Sequence, residues 1–343
     1  MWFRLMGPDV SGYAKAHWRM LMGTLMLLPL AVHDYRSADA ALRAKILRDC
    51  WVAAPIGVIF GSHFVAVALS TNTTSYTHML LTVNTASQFF SLGIFLRFLA
   101  YLGANAAGLT SLVNTPALMV EDESTGSADA APSPSSLPPE TSLPFLHPTL
   151  SRPLSALEFI GAAIAFSGLV LLVAGESGKV AVASVAADNV PTVEGDLVGL
   201  LSSMFFAVYL FASKNSGSTP LYLYMFLLHA SAAVATAVGA IALGTPAHML
   251  VGWTAGGMRL CAAIGSGLIP SIVGHTICNY LLMSGRLPPS TVLVVQQNQP
   301  ITGIILGYIF GLAGAPSLIS LLSFPVVMAG CFCTLLGSFR KTP

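Results

Sequence analysis

The residues able to do chemistry in this chain are amides and histidines set within long apolar stretches. Gln296, Gln297, Asn298 and Gln299 are consecutive and precede Pro300. Consecutive residues spread around a helix, so one face can present only some of these amides; Gln296 and Gln299, at i and i+3, share a side. Pro300 has no amide hydrogen for the Gln296 carbonyl, so a kink with a freed carbonyl is expected there. Asn84 and Gln88 are spaced i and i+4 on an earlier apolar stretch, and His275 and Asn279 repeat that spacing on another. His63 stands alone in a third. Tyr209 shares a helical face with Ser202 and Phe206, which suits either stacking on a ring-bearing ligand or anchoring at an interface. Polar groups in lipid are costly and tend to line a cavity. Asn84, Gln88, Tyr209, His275, Asn279, Gln296 and Gln299 are therefore the candidate substrate contacts. The competing role for each is hydrogen bonding between helices.

Some chemistry is unsupported. No glycine-rich phosphate loop with a following Lys occurs, which argues against an ATP-driven pump. The histidines are scattered, so no metal site, cofactor or enzyme activity is expected. No Asp or Glu falls in the core of an apolar stretch, and none follows Asp196. Carboxylate-driven proton coupling is disfavoured on that ground, although a histidine could couple transport to a proton gradient. Deep Lys or Arg is not expected either, which argues against a strongly phosphate-dependent site.

The elements that position these groups follow from composition. Hydrophobic residues make up 55% of the 343 and charged residues only 8%. A soluble domain carries about 25% charged residues, so a lipid bilayer must cover most of this surface. The net charge of +1 shows no bias toward nucleic acid. The five cysteines lie in or beside apolar stretches and read as small helix residues, not a disulfide framework. About 20 apolar residues cross the hydrocarbon core, and such a crossing must be helical. Nine spans are expected: Ala14–Val32, Cys50–Ser70, Tyr76–Tyr101, Ser155–Gly175, Asp196–Ser213, Leu221–Leu243, Met258–Met283, Pro289–Leu312 and Pro316–Phe339.

Loop charges orient them. Arg36, Arg43, Lys45, Arg48, Arg97, Arg152, Lys214, Arg286, Arg340 and Lys341 fall on one side, which places the C-terminus in the cytosol. Lys179 and Arg259 fall on the other. Arg4, Lys15 and Arg19 are exceptions that would face outward.

The second half repeats the first with reversed polarity. A shift of 213 aligns Ile56, Ile59, Gly61, Leu69 and Leu80 with Ile269, Ile272, Gly274, Leu282 and Leu293. A shift of 162 aligns Ser155, Gly168 and Gly175 with Ser317, Gly330 and Gly337. The second half has five spans and the first has four. The expected architecture is an inverted repeat of five-helix units, ten helices in all, with the first apparently missing. Inverted repeats around a polar midplane are typical of secondary transporters.

These features resemble the drug/metabolite transporter superfamily in its EamA-like branch. The resemblance rests on His17-Trp18-Arg19, on Glu158-Phe159-Ile160-Gly161 with Gly168, on Gly195-Asp196-Leu197 with Ala207-Val208-Tyr209, and on Pro300. It implies ten helices around a central cavity worked by alternating access. Members often carry a Glu near the ends of the third and penultimate spans, where this chain has Arg97 and Gly311-Leu312-Ala313-Gly314. Ser87 stands where a proline matching Pro300 would be.

The resulting domain division is residues 1–115 for the incomplete first repeat, 116–153 for a disordered Ser/Pro-rich cytosolic insertion, 154–175 for the last span of the first repeat, and 195–339 for the second repeat. Gly303, Gly307 and Gly311, like Gly57 and Gly61, form small-residue stripes suited to close helix packing within the fold. A homodimer through those stripes is the alternative. Asn72-Thr73-Thr74 is a glycosylation sequon expected to lie too near the bilayer for modification. The expected activity is secondary transport or exchange of a small polar organic metabolite in a membrane whose identity stays open. Nucleotide-sugar carriage and a non-transporting scaffold or receptor are the alternatives.

Overall fold

The computed structural model describes residues 2–7, 9–74, 79–80, 82–83, 156–177, 192–214, 219–284, 292, 295–296, 298–309 and 315–339. Asn84, Gln88, Ser87, Arg97, Gly311 and the insertion at 116–153 lie outside them. The described chain is helical, with no strand among the described residues. In chain order the elements are α1 (Trp2–Leu5), α2 (Gly12–Ser37), α3 (Ala40–Thr73), α4 (Ala156–Ser177), α5 (Val193–Lys214), α6 (Leu221–Ala242) and α7 (Ala247–Leu250). A 3₁₀ turn, Gly252–Ala255, leads into α8 (Gly257–Ser266), the π-helix Gly267–His275 and α9 (Thr276–Met283), and then α10 (Asn298–Ile309) and α11 (Leu318–Phe339) follow.

Four helical segments are long and apolar enough to cross a membrane among the described residues: Ala53–Thr73, Val193–Lys214, Leu221–Ala242 and Gly257–Met283. Many of their large apolar side chains point outward, including Val234, Val238, Ile269, Val273 and Ile277. Such a surface is unsuited to water and fits lipid.

Caps set the helix ends. The Ser11 hydroxyl accepts from Ala14 N at 3.2 Å to start α2. The Asp39 carboxylate accepts from Leu42 N at 2.7 Å to start α3, as short polar side chains do at N-caps. The basic stretch after the first span is therefore not a loop. Arg36 is in the last turn of α2, and Arg43, Lys45 and Arg48 are in the first turns of α3, separated from α2 by Ala38 and Asp39 alone. Arg43 donates to the carbonyls of Tyr35 and Arg36 at 3.2 and 2.9 Å, which satisfies the free C-terminal carbonyls of α2.

The core is built by α2, α3, α5, α6 and the α8–π–α9 helix, with Trp18, Met20, Phe60, Tyr209, Leu210, Tyr224 and Met225 fully enclosed. The stripe Gly57 and Gly61 faces α6. A Cβ on Gly57 would meet Ser231 Oγ at 1.8 Å, and one on Gly61 would meet Ala232 Cα at 3.2 Å. α4 and α11 form a second close pair: a Cβ on Gly161 would come within 2.5 Å of Thr334 N, and one on Gly330 within 2.3 Å of Ala165 N. These backbones touch because the side chains between them are absent.

The penultimate apolar stretch departs from expectation. Val292 and Val295 are helical, Gln296 lies in a turn, and α10 starts at Asn298. Pro300 sits in the first turn of α10, where a missing amide hydrogen costs nothing. The Gln296 carbonyl is not freed: it accepts from Gln299 N at 2.8 Å. A tight turn replaces the expected proline kink.

Candidate functional site

Five helices converge on a polar cluster inside the core. From α9, Asn279 is fully buried; its amide nitrogen donates to the His275 carbonyl at 2.8 Å and to the Tyr209 hydroxyl. Tyr209 on α5 is fully buried, its ring 4.5 Å from that of Phe60 on α3. His275 is buried at the end of the π-helix, perpendicular to Phe60 at 4.9 Å. His229 of α6 closes the group, its ring 5.3 Å from that of Phe60.

The fifth helix, α2, supplies Arg19. Its side chain is only 8% exposed. The guanidinium lies 3.7 Å from the centroid of Phe64, a close cation–π contact. Arg19 Nε donates to Ser271 Oγ at 3.2 Å, and Nη2 lies 3.4 Å from His275 Nε2. An arginine cannot accept a hydrogen bond. His275 Nε2 is therefore the acceptor, and the ring proton belongs on Nδ1.

The π-helix explains how Ser271 and His275 both reach Arg19. Pro270 has no N–H to offer the Ser266 carbonyl, and the Ser271 hydroxyl donates there instead at 3.3 Å. A π turn widens the helix at this point, and such distortions cluster at functional sites.

Three buried atoms of the cluster have no hydrogen-bond partner among the described residues: His275 Nδ1, Asn279 Oδ1 and His229 Nε2. His229 Nδ1 already donates to its own helix at Met225 O, 2.8 Å. Such orphans are uncommon in protein interiors and mark places to look for function.

Of the candidate residues read from the sequence, the structure brings together Tyr209, His275 and Asn279. Tyr209 does not reach an interface. Gln296 is half-buried beside the cluster, its amide nitrogen 3.8 Å from Cys278 Sγ. Gln299 is exposed. Asn298 turns toward α11, 3.7 Å from Cys331 Sγ. His63 belongs to a helix–helix contact: its Nδ1 donates to Ser202 O at 2.9 Å, and the Ser202 hydroxyl donates to His63 O at 3.2 Å.

Arg19 corrects the expectation that no cation lies deep. α1 packs against α8 and α3, and Phe3 places its ring 5.8 Å from the guanidinium. Sequence reasoning also passed over Ser271 and His229. An ionisable residue in the middle of an apolar span was the available signal for His229.

No family model matches the chain, and no curated protein matches it. Fifteen chains of known structure match. One of them, described as "Crystal structure of protein", has a TM-score of 0.62 at 15% identity, covering 99% of this chain and 92% of its own. That likeness shows a shared fold.

Proposed function

We propose that this protein is a secondary transporter or exchanger of a small polar organic metabolite, built like the EamA-like drug/metabolite transporters and working by alternating access. The observation that carries the reading is the Arg19–His275–Asn279–Tyr209 cluster. It is polar, part-unsatisfied, and enclosed by α2 together with four helical segments apolar enough to cross a membrane. Ionisable groups so placed mark substrate or ion paths.

Two further observations support an inverted repeat of nine spans out of a ten-helix plan. The shift of 162 turns Ala165 into Val327 and Gly168 into Gly330. A Cβ on Gly168 would meet Val327, and one on Gly330 would meet Ala165, so the shift exchanges the two contacts. A two-fold relation between halves produces that exchange. In the same way α6 packs on α3 while its counterpart α2 packs on the π-helix.

The test is uptake of a broad metabolite panel into proteoliposomes holding the full chain. Wild type is expected to carry at least one member, with His275→Ala and Gln296→Leu each slowing it at least several-fold. Absence of flux for every compound overturns the reading. Competition by nucleotide monophosphates would favour nucleotide-sugar carriage.

A further inference from the structure

The charge at Arg19 is the least balanced feature of the core. A guanidinium stays protonated at any physiological pH. The groups facing it are Phe3 of α1, His63 and Phe64 of α3, His229 of α6, and Ser271 and His275 of the π-helix. None carries negative charge at neutral pH. Among the described residues no carboxylate pairs with Arg19. Asp9 is bonded to Arg259 at 2.7 Å, Asp34 accepts from Tyr222 N, Asp39 caps α3, and Asp196 accepts from Thr74. Past Asp196 the chain contains no acid at all.

A buried charge with neither solvent nor counter-ion is strongly unfavourable. Phe64 stacking and two hydrogen bonds offset part of this. Arg19 Nη1 donates no hydrogen bond to a described residue, and the His275 Nδ1 proton has no acceptor among them. A buried donor, the His275 ring N–H, is thus unmatched beside a net positive charge. One helical turn along, Asn279 Oδ1 is an unmatched acceptor.

We infer that Arg19 and His275 form an anion subsite, and that the molecule bound there is a small organic anion presenting a carboxylate or phosphate to Arg19 and a hydroxyl or amine to Asn279. This rests on the transporter reading for its consequence, transport, but not for its binding. An oxyanion matches the guanidinium geometry, and a substrate N–H or O–H satisfies the Asn279 oxygen. Ser271 is a positioning residue that holds Nε and turns the guanidinium edge.

The experiment measures binding and flux separately on the full chain. Thermal unfolding in detergent is followed with lactate, glycerol 3-phosphate, neutral glycerol and cationic choline. Lactate or glycerol 3-phosphate is expected to raise the midpoint; glycerol and choline are not. The arm that shifts tells carboxylate from phosphate. Arg19→Gln is expected to abolish the anion shift while leaving the ligand-free midpoint level or higher, because an unbalanced charge is gone. A structural arginine would instead lower it. Should Arg19→Gln fail to fold, Ser271→Ala is expected to retain the fold and weaken anion affinity several-fold. The inference is overturned if no anion shifts the wild type, if glycerol shifts it equally, or if Ser271→Ala binds anions like wild type. Anion binding without uptake in proteoliposomes would sink the transporter reading and leave the subsite standing. Uptake of neutral compounds with no anion shift would do the reverse.

Discussion

Tyr209 commits its only polar atom to Asn279, and that bond ties α5 to α9 through the middle of the core. Tyr209→Phe keeps the ring against Phe60 and removes the acceptor. Asn279 would keep its bond to His275 O, so the loss is one buried hydrogen bond, about 1 kcal/mol. For a chain of this length that is a fall in melting midpoint of about 1–2 °C, readable by tryptophan fluorescence in detergent. An unchanged midpoint would show that this bond contributes nothing. Asn279 was legible in the sequence, since an amide and a histidine spaced i and i+4 in an apolar stretch point inward together, and Tyr209 through the face it shares with Ser202 and Phe206. Arg19 was not legible. An arginine near the start of a span normally snorkels to the interface, and only the return of α1, which brings Phe3 over the guanidinium, encloses it.

At the scale of elements, glycine decides which helices touch. Gly330 of α11 lies so near α4 that an added methyl would fall 2.3 Å from the backbone nitrogen of Ala165. Backbone cannot step aside, so Gly330→Ala must part the two helices, at about 1–3 kcal/mol by analogy with overpacked cores. Gly274 makes the contrast: its added Cβ has only Ile269 O for a neighbour, at an ordinary 3.7 Å. Gly274→Ala is expected to be neutral or slightly stabilising, since alanine loses less backbone entropy in a helix. Comparing the two midpoints checks this, and equal losses would refute the packing account. Small-residue spacing made the contact of Gly57 and Gly61 readable in advance, although not its partner, α6. The break at Gln296 was unreadable, because Pro300 looks the same locally whether it kinks a helix or opens one. The turn bond from Gln299 N to Gln296 O settles it.

At the scale of the whole molecule, the helix ends sort charge by side. At one end Ser11 meets Thr245 at 3.3 Å, Lys15 donates to Asn72 at 2.9 Å, and Arg259 pairs with Asp9. The Arg259 hydrogen bond holds the Asp9 carboxyl below its usual range, so that pair remains ionised and together neutral. At the other end Asp34 accepts from Tyr222 N, and Arg36, Arg43 and Lys45 crowd the junction of α2 and α3. Unbalanced basic residues thus collect at the second end, which the positive-inside rule assigns to the cytosol. Exposed Ala247 and Ser37 mark the two ends. In sealed cells a membrane-impermeant maleimide is expected to label Ala247→Cys at once and Ser37→Cys only after permeabilisation, each judged against the unsubstituted chain. The opposite pattern would invert the orientation, and with it the side from which α1 covers Arg19. Labelling of both without permeabilisation would mean that these helices do not separate two compartments, and alternating access would then have no sides to alternate between.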